Sequence, residues 1–280
     1  HQLNKNLDNL RLALEWFFDG GGSRLVGVKM VSNLADYWSV SGYNNELLFW
    51  LDRAEKEDCD QALLPARASI LFFHGSRLGN QGKRQESRRL LEESLAILRE
   101  LGEPYFATLL ALGNTLYYGE GSKETGYAYI QEAIELSRDA GNKAAQGIVL
   151  RSFSNLKLYE GDITSAIAIA EEAAELFRAC ESHLDVATCI RIIGSSYLAL
   201  GNFQGARNCF QDAINMMQKF GYEGGNIADM LESLGEACRC LDDYIEAEAC
   251  YRKCLTMGKE TGVLSKEFIP FNLNLGYTVL

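Results

Sequence analysis

A small residue preceded by a bulky one recurs along this 280-residue chain at intervals of 38 to 41 residues. Another bulky side chain stands four residues before each of the first six of these small residues, which we call the anchors of their repeats. Self-similarity at a fixed period of this length indicates a chain built from stacked copies of one unit. The anchors are Ala35, Gly75, Gly113, Ser154, Gly194, Gly235 and Gly276.

Each repeat is predicted to contain two helices joined by a short turn. Segments such as 186–200 and 203–220 carry apolar residues at the i, i+3, i+4 and i+7 spacing of one helix face. Because a lone helix pair cannot bury its apolar stripe, neighbouring pairs must stack on one another. A glycine follows the second helix in most repeats and suits a left-handed helix end; these glycines are Gly102, Gly141, Gly221 and Gly262. In the fourth repeat this place falls at Cys180 and Glu181, so that helix must end differently.

Side-chain size also follows the repeat. Small residues at the anchor and twelve and nineteen positions after it would let the two helices of a pair approach closely. A large residue sixteen positions after the anchor would fill the space above the next pair, as Leu51, Leu91, Phe210 and Tyr251 do. Ala170 departs from this pattern in the fourth repeat.

These positions resemble the tetratricopeptide repeat, whose pattern is matched by Ile190, Ile193, Gly194, Tyr197, Ala206, Phe210 and Ala213. The resemblance implies an all-α fold, namely a right-handed superhelical solenoid of antiparallel helix pairs. We expect this solenoid to occupy residues 23–280, as six full repeats and the first helix of a seventh. The repeats are longer than the usual unit of about 34 residues, which adds more than one helical turn to each pair.

A second resemblance concerns the N-terminus, which lacks an initiator Met. Residues 9–16, the glycine break at 20–22, Tyr37-Trp38 and Trp50-Leu51 are similar to the junction that precedes the tetratricopeptide sensor of bacterial signal-transduction ATPases. Transcription regulators of the maltose-activator type carry such an arrangement. The resemblance implies that residues 1–22 form a helix and a break that join the solenoid to an upstream ATPase and DNA-binding part.

Composition excludes several classes of partner. The formal net charge is −11 and the isoelectric point is near 4.9, so the chain should repel nucleic acid and anionic membranes. No apolar run of about 18 residues and no signal-peptide pattern occurs, so we expect neither a membrane-spanning segment nor secretion. We therefore expect a cytoplasmic protein that has no direct contact with nucleic acid or membrane.

Catalytic, cofactor and metal sites are not predicted. The 8 cysteines form no CxxC motif, and we interpret them as small buried thiols rather than as ligands of a structural zinc ion. The glycine-rich string 75–84 has Arg84 where a phosphate-binding loop needs Ser or Thr, and the repeat already explains Gly79. His74 occupies a core position of its repeat. We therefore predict a non-enzymatic protein that needs no cofactor.

The family's geometry assigns the inner face of the solenoid to positions six and three before the anchor and one, four and five after it. Arginine, amide and tyrosine side chains there suit carboxylate or peptide ligands. The sixth repeat is acidic at these positions, with Asp229, Glu232 and Glu236. The predicted binding residues are Asn114, Tyr118, Arg151, Asn155, Tyr159, Arg191 and Ser195.

Arg151 and Asn155 resemble part of the carboxylate-gripping clamp of peptide-binding tetratricopeptide domains. The remaining parts of that clamp are missing, because Ser152, Ile192 and Ser233 stand in their places. A simpler interpretation stays open, in which Arg151 and Arg191 pair with acidic neighbours across repeats.

The sequence thus predicts an effector-sensing or protein-interaction domain of a multidomain signalling or transcription regulator, which binds a protein segment or small effector. The alternative is a stand-alone scaffold that joins two proteins by recognising peptides. Residues 268–280 read as a first helix without its partner, so we also expect self-association through this uncapped end.

Overall fold

The computed structural model describes residues 6–40, 43–57, 61–119, 122–222 and 225–260, and these ranges contain α-helices, one short 3₁₀ turn at Gln61–Leu63 and no strand. None of these helices is both long and apolar enough to cross a bilayer. The helices are α1 (Leu7–Asp19), α2 (Arg24–Val40), α3 (Asn44–Glu55), α4 (Leu64–Asn80), α5 (Arg84–Leu101), α6 (Phe106–Tyr117), α7 (Lys123–Asp139), α8 (Lys143–Glu160), α9 (Ile163–Ala179), α10 (His183–Ala199), α11 (Phe203–Lys219), α12 (Gly225–Cys240) and α13 (Tyr244–Glu260).

Helices α2 to α13 form six consecutive pairs, and each predicted anchor within the described residues lies in the first helix of its pair. The all-α repeat of helix pairs is therefore confirmed. The seventh first helix and its uncapped face lie outside the described residues. Contacts divide the chain into two compact units, residues 1–136 and 137–280, with the boundary in the last turn of α7.

One hydrophobic core of the first unit lies where α1, α2 and α3 meet. Trp38 and Trp50 are buried there, and Phe18 of α1 stacks on Trp50 with ring centroids 5.9 Å apart. Helix α1 therefore packs against the first repeat, and the glycine break at 20–22 lets the chain turn between α1 and α2.

The second unit has its core between α10, α11, α12 and α13, around the buried rings of Phe210 and Tyr251. Polar side chains begin several of its helices: Asn142, Asp162 and Asn202 each accept a hydrogen bond from the backbone N–H three residues later.

The anchors show why small residues recur. A Cβ atom placed on Gly194 would lie 2.9 Å from Phe210, and one on Gly235 would lie 2.6 Å from Tyr251, sixteen positions later in each case. The same contact joins Gly75 to Leu91 and, with one inserted residue, Gly113 to Ile130. Each of these four glycine anchors thus receives the large side chain of the second helix.

The fourth repeat reaches the same packing with different residues. Its anchor is Ser154 and its sixteenth following residue is Ala170, and both are fully buried. The Ser154 hydroxyl donates a 2.7 Å hydrogen bond to the carbonyl of Ala166 on α9. A larger anchor and a smaller partner therefore replace the usual combination.

Helix ends follow the glycine prediction at three of the four places. Gly102, Gly141 and Gly221 have φ values of 68°, 63° and 73°, while Gly262 lies outside the described residues. In the fourth repeat Glu181 takes the left-handed conformation with φ 55°, although it has a side chain.

Candidate functional site

The predicted binding residues belong to two different units. Asn114 and Tyr118 lie at the end of α6 in the first unit. The other five lie on α8 and α10 in the second unit: Arg151, Asn155, Tyr159, Arg191 and Ser195. We describe each unit by itself.

In the first unit, Tyr118 lines an open cleft of about 810 Å³ between the end of α6 and the beginning of α5. Its ring is 38% exposed and stands edge-on to Tyr117, with centroids 5.2 Å apart. Asn114 is half-buried and does not line this cleft. Of these two predicted residues, therefore, only Tyr118 lines the cleft.

The α5 side of the cleft carries three basic residues, Lys83, Arg84 and Arg88, and one acidic residue, Glu86. The stem of Arg84 packs over Gly119, where a Cβ would lie 2.9 Å from its Cδ. Gly82 has φ 80° and belongs to the turn between the paired helices α4 and α5. This glycine-rich string is thus a helix–turn–helix connection, as the repeat predicted.

In the second unit, Arg151 is held by its neighbours. Its guanidinium forms an ion pair with Asp185 at the beginning of α10 and lies over the Phe177 ring, 5.6 Å from the centroid. Asp185 also accepts a 2.6 Å hydrogen bond from the Ser182 hydroxyl. The simpler interpretation, pairing with an acidic residue of the next repeat, therefore describes Arg151 well.

Arg191 differs from Arg151. It is half-buried on α10 and has no hydrogen bond or ion pair within the described ranges. Removal from water lowers the pKa of its guanidinium, which Asp229 opposes and the nearby charge of Arg151 reinforces. Arg191 therefore offers planar N–H donors that no described side chain uses.

The remaining predicted residues surround these arginines with polar groups. Asn155 is exposed one helical turn after Arg151, Tyr159 is 70% exposed at the end of α8, and Ser195 is half-buried one turn after Arg191. Arg151 and Asn155 share one helix face, as a clamp would need, but Asp185 already occupies the guanidinium of Arg151.

Helix α12, the first helix of the sixth repeat, carries acidic residues at the inner-face positions. Glu236 accepts hydrogen bonds from Arg239 at 2.5 and 2.9 Å and from the Tyr251 hydroxyl at 3.3 Å. Glu232 makes no ion pair or hydrogen bond with the described residues. Desolvation and then the negative charges of Asp229 and Glu236 raise the pKa of Glu232. Glu232 stands three residues before its anchor, as Arg191 does, yet the predicted set omitted it.

Titratable groups elsewhere have structural roles. His74 is buried, with its Nδ1 atom 2.6 Å from a Glu55 oxygen. The Cys254 thiol donates to the carbonyl of Ala228, and burial raises the pKa of this thiol to about 12. No group of three metal-ligating side chains occurs among the described residues.

Comparison with sequence families supports the repeat assignment. Two models described as tetratricopeptide repeat match the chain, one at residues 149–219 and 185–260 and another at residues 75–101. No curated protein sequence matches the chain.

Solved structures share the fold at low sequence identity. NprR in complex with its cognate peptide NprX is 13% identical, with a TM-score of 0.65, over 99% of this chain and 82% of NprR. A Rap protein complexed with Competence and Sporulation Factor is 12% identical, with a TM-score of 0.59, over 84% of this chain and 77% of Rap. A signal-transduction ATPase with numerous domains and a tetratricopeptide repeat sensor, from Pyrococcus horikoshii, is 16% identical, with a TM-score of 0.59, over 99% of this chain and 46% of that protein.

Proposed function

We propose, from the premise that this chain is a tetratricopeptide-repeat domain, that it senses a peptide or small effector through the first helices of residues 137–280. These helices, α8, α10 and α12, present the positions three residues before the anchors, and we call this surface the first-helix face. The bound ligand would then regulate a larger signalling protein.

One observation carries the proposal: the half-buried guanidinium of Arg191 has no partner among the described residues, and Arg191 occupies the position equivalent to that of Arg151 in the preceding repeat. A half-buried guanidinium has lost part of its hydration and gains from an acceptor that replaces the missing water. Carboxylate and phosphate groups match its planar donors best. Exposed Asn155 and Tyr159 add an amide and an aromatic surface beside this cationic centre.

The structural relatives agree with a peptide ligand. NprR has this fold and was solved with its cognate peptide bound. The Pyrococcus horikoshii protein uses a tetratricopeptide repeat as the sensor of a signal-transduction ATPase, and this chain matches less than half of its length. The first comparison supports a peptide ligand, and the second supports a sensing role within a larger signalling protein.

The ion pair between Arg151 and Asp185 suggests how binding would be transmitted. It joins α8 of one repeat to the first turn of α10 in the next. An anionic ligand that competes for Arg151 would weaken this link and change the rotation between successive repeats. Small rotations of this kind accumulate along a solenoid and would shift whatever precedes it.

The test uses a random decapeptide display library selected on the wild-type protein, followed by fluorescence anisotropy with the enriched peptides. The double substitution Arg151→Ala with Arg191→Ala should weaken binding by about tenfold or more, because it removes charge-assisted hydrogen bonds. Arg252→Ala on the exposed side of α13 is the matched control and should leave Kd unchanged. Unchanged affinity of the double variant, with normal helicity by circular dichroism, would disprove this assignment.

A further inference from the structure

Three charged residues occupy one equivalent position in successive repeats of the second unit. Arg151, Arg191 and Glu232 each stand three residues before the anchor of their own repeat, on α8, α10 and α12. Helix α10 contacts both α8 and α12, so the three positions form a row across the first-helix face. The sign of the charge changes between the second and third members of the row.

The three charged side chains of this row differ in whether they have an ion-pair or hydrogen-bond partner. Arg151 is paired with Asp185, whereas Arg191 and Glu232 form no ion pair or hydrogen bond with any residue that the structure describes. Both are half-buried, and loss of water disfavours the charged form of each. Two neighbouring first helices thus carry unpaired charges of opposite sign.

Arg191 and Glu232 do not neutralise each other across the gap between α10 and α12. Packed helices lie about 8–10 Å apart, and no ion pair within 4.0 Å forms between Arg191 and Glu232. A ligand with an anionic and a cationic group at a similar separation could satisfy both. An extended peptide advances about 3.3 Å per residue, so this separation corresponds to about three residues.

We infer that the first-helix face recognises an extended peptide with an acidic and a basic residue about three positions apart, the acidic side chain at Arg191 and the basic one at Glu232. The inference rests on the proposed function and names the ligand class for that same surface. Asp229 and Glu236 act on Glu232 and strengthen its attraction for a basic side chain, whereas Arg191 has the negative charge of Asp229 as well as the positive charge of Arg151 nearby. The order of charges fixes the direction in which the peptide lies.

The experiment exchanges the two charges. The random decapeptide library is selected separately on the wild-type protein and on the variant Arg191→Glu with Glu232→Arg. From an enriched wild-type peptide we would make two labelled, end-capped decapeptides of identical composition, with the acidic and basic residues in the two opposite orders. The wild type should bind one order about tenfold more tightly, and the exchanged variant should prefer the other.

Two further sets of variants keep the result interpretable. Arg191→Gln and Glu232→Gln remove one charge each with little change in size. Each should abolish most of the preference for charge order, so these variants provide the test even if the exchanged variant folds poorly. The matched control exchanges the exposed ion pair of α13, Arg252→Glu with Glu248→Arg, and should keep the wild-type preference.

The outcomes separate this inference from the proposed function. Enriched peptides that bind equally well in both orders, or a wild-type preference retained by the exchanged variant, would overturn the charge-pair inference alone. No enriched peptide on the wild-type protein would also overturn peptide sensing as the proposed function.

Discussion

Charged side chains of the second unit divide into those that the fold satisfies and those that it leaves open. Arg239 and Glu236 hold each other by two hydrogen bonds, and Arg252 and Glu248 do the same on α13. Glu232 has no such partner among the described residues. Its environment, which is half-buried and negatively charged, disfavours ionisation and raises its pKa.

We therefore expect Glu232→Gln to stabilise the protein at neutral pH. The folded-state pKa is raised above the ordinary value of 4.5, so the folded chain holds this proton more tightly than the unfolded chain does. The ionised carboxylate consequently destabilises the fold fully above the raised pKa, and this effect vanishes as pH falls below the unfolded value. Urea denaturation at pH 7 and at progressively lower pH should show a gain that shrinks on acidification.

Glu248→Gln is the control, because Glu248 is bound to Arg252 and gains nothing from losing its charge. A Glu232→Gln variant less stable than the wild type at pH 7 would show that the carboxylate has a stabilising partner. The same substitution should weaken peptide binding, so Glu232 would increase affinity for the peptide at the cost of stability.

Between elements, the contact of the anchor with the second helix determines how closely each pair packs. In the fifth repeat Gly194 meets the buried ring of Phe210. In the fourth repeat the Ser154 hydroxyl donates to the Ala166 carbonyl, and the small residue Ala170 is buried at the position equivalent to Phe210. Both solutions fill a similar space, with the bulk contributed by opposite helices.

This comparison predicts non-additive effects in the fifth repeat. Gly194→Ser alone should cost about 1–3 kcal/mol through overpacking, and Phe210→Ala alone about 3–5 kcal/mol through a cavity. The double variant reproduces the fourth-repeat combination. We expect the new hydroxyl to donate a hydrogen bond to the carbonyl of Ala206, which occupies the position equivalent to Ala166. Its loss should therefore be smaller than the sum by about 1 kcal/mol or more.

A double-mutant cycle measured by urea denaturation provides the check. Glycine-to-serine substitution at Gly82, which has open space around its Cβ position and a φ of 80°, separates backbone strain from overpacking. Strictly additive losses at Gly194 and Phe210 would mean that the two repeats do not share one packing rule.

The packing of pairs could be predicted from the sequence because it depends on positions that recur. The large residue sixteen positions after the anchor was expected to fill the space above the next pair. In the structure, however, Phe210 contacts Gly194, the anchor of its own pair, and this contact was not predicted. The contacts at the binding surface were harder to predict from the sequence, because a side chain of one repeat can pair with a side chain of the next. Asp185 lies nine residues before its anchor, outside the positions considered, and only the structure shows that it holds Arg151. The prediction of the binding residues themselves stays a prediction.

On the scale of the whole chain, the contacts separate two compact units at a place where the 40-residue period continues without interruption. The second unit contains its own buried core around Phe210, Met230 and Tyr251. In stacked repeats, stability comes from each repeat and its nearest neighbours. The predicted boundary after residue 22 and the link to an upstream domain remain predictions.

We expect residues 137–280 to fold as an isolated fragment, with a cooperative urea transition followed by circular dichroism. The fragment should also bind the selected decapeptides with a Kd within about threefold of the full chain, since Arg191 and Glu232 lie within it. The shorter fragment 137–222 lacks the sixth repeat and should be markedly less stable and lose the preference for charge order. A fragment 137–280 without a cooperative transition would contradict the assignment of an autonomous unit.

The fourth repeat combines a larger anchor, Ser154, with a smaller partner, Ala170, than the fifth repeat does. This difference limits how evolution or an engineer can recombine the protein. A first helix moved from the fourth repeat into the fifth would bring serine against phenylalanine, and the reverse transfer would leave a void. Viable chimaeras should therefore inherit complete hairpins, so the heritable cassette of this solenoid is the helix pair.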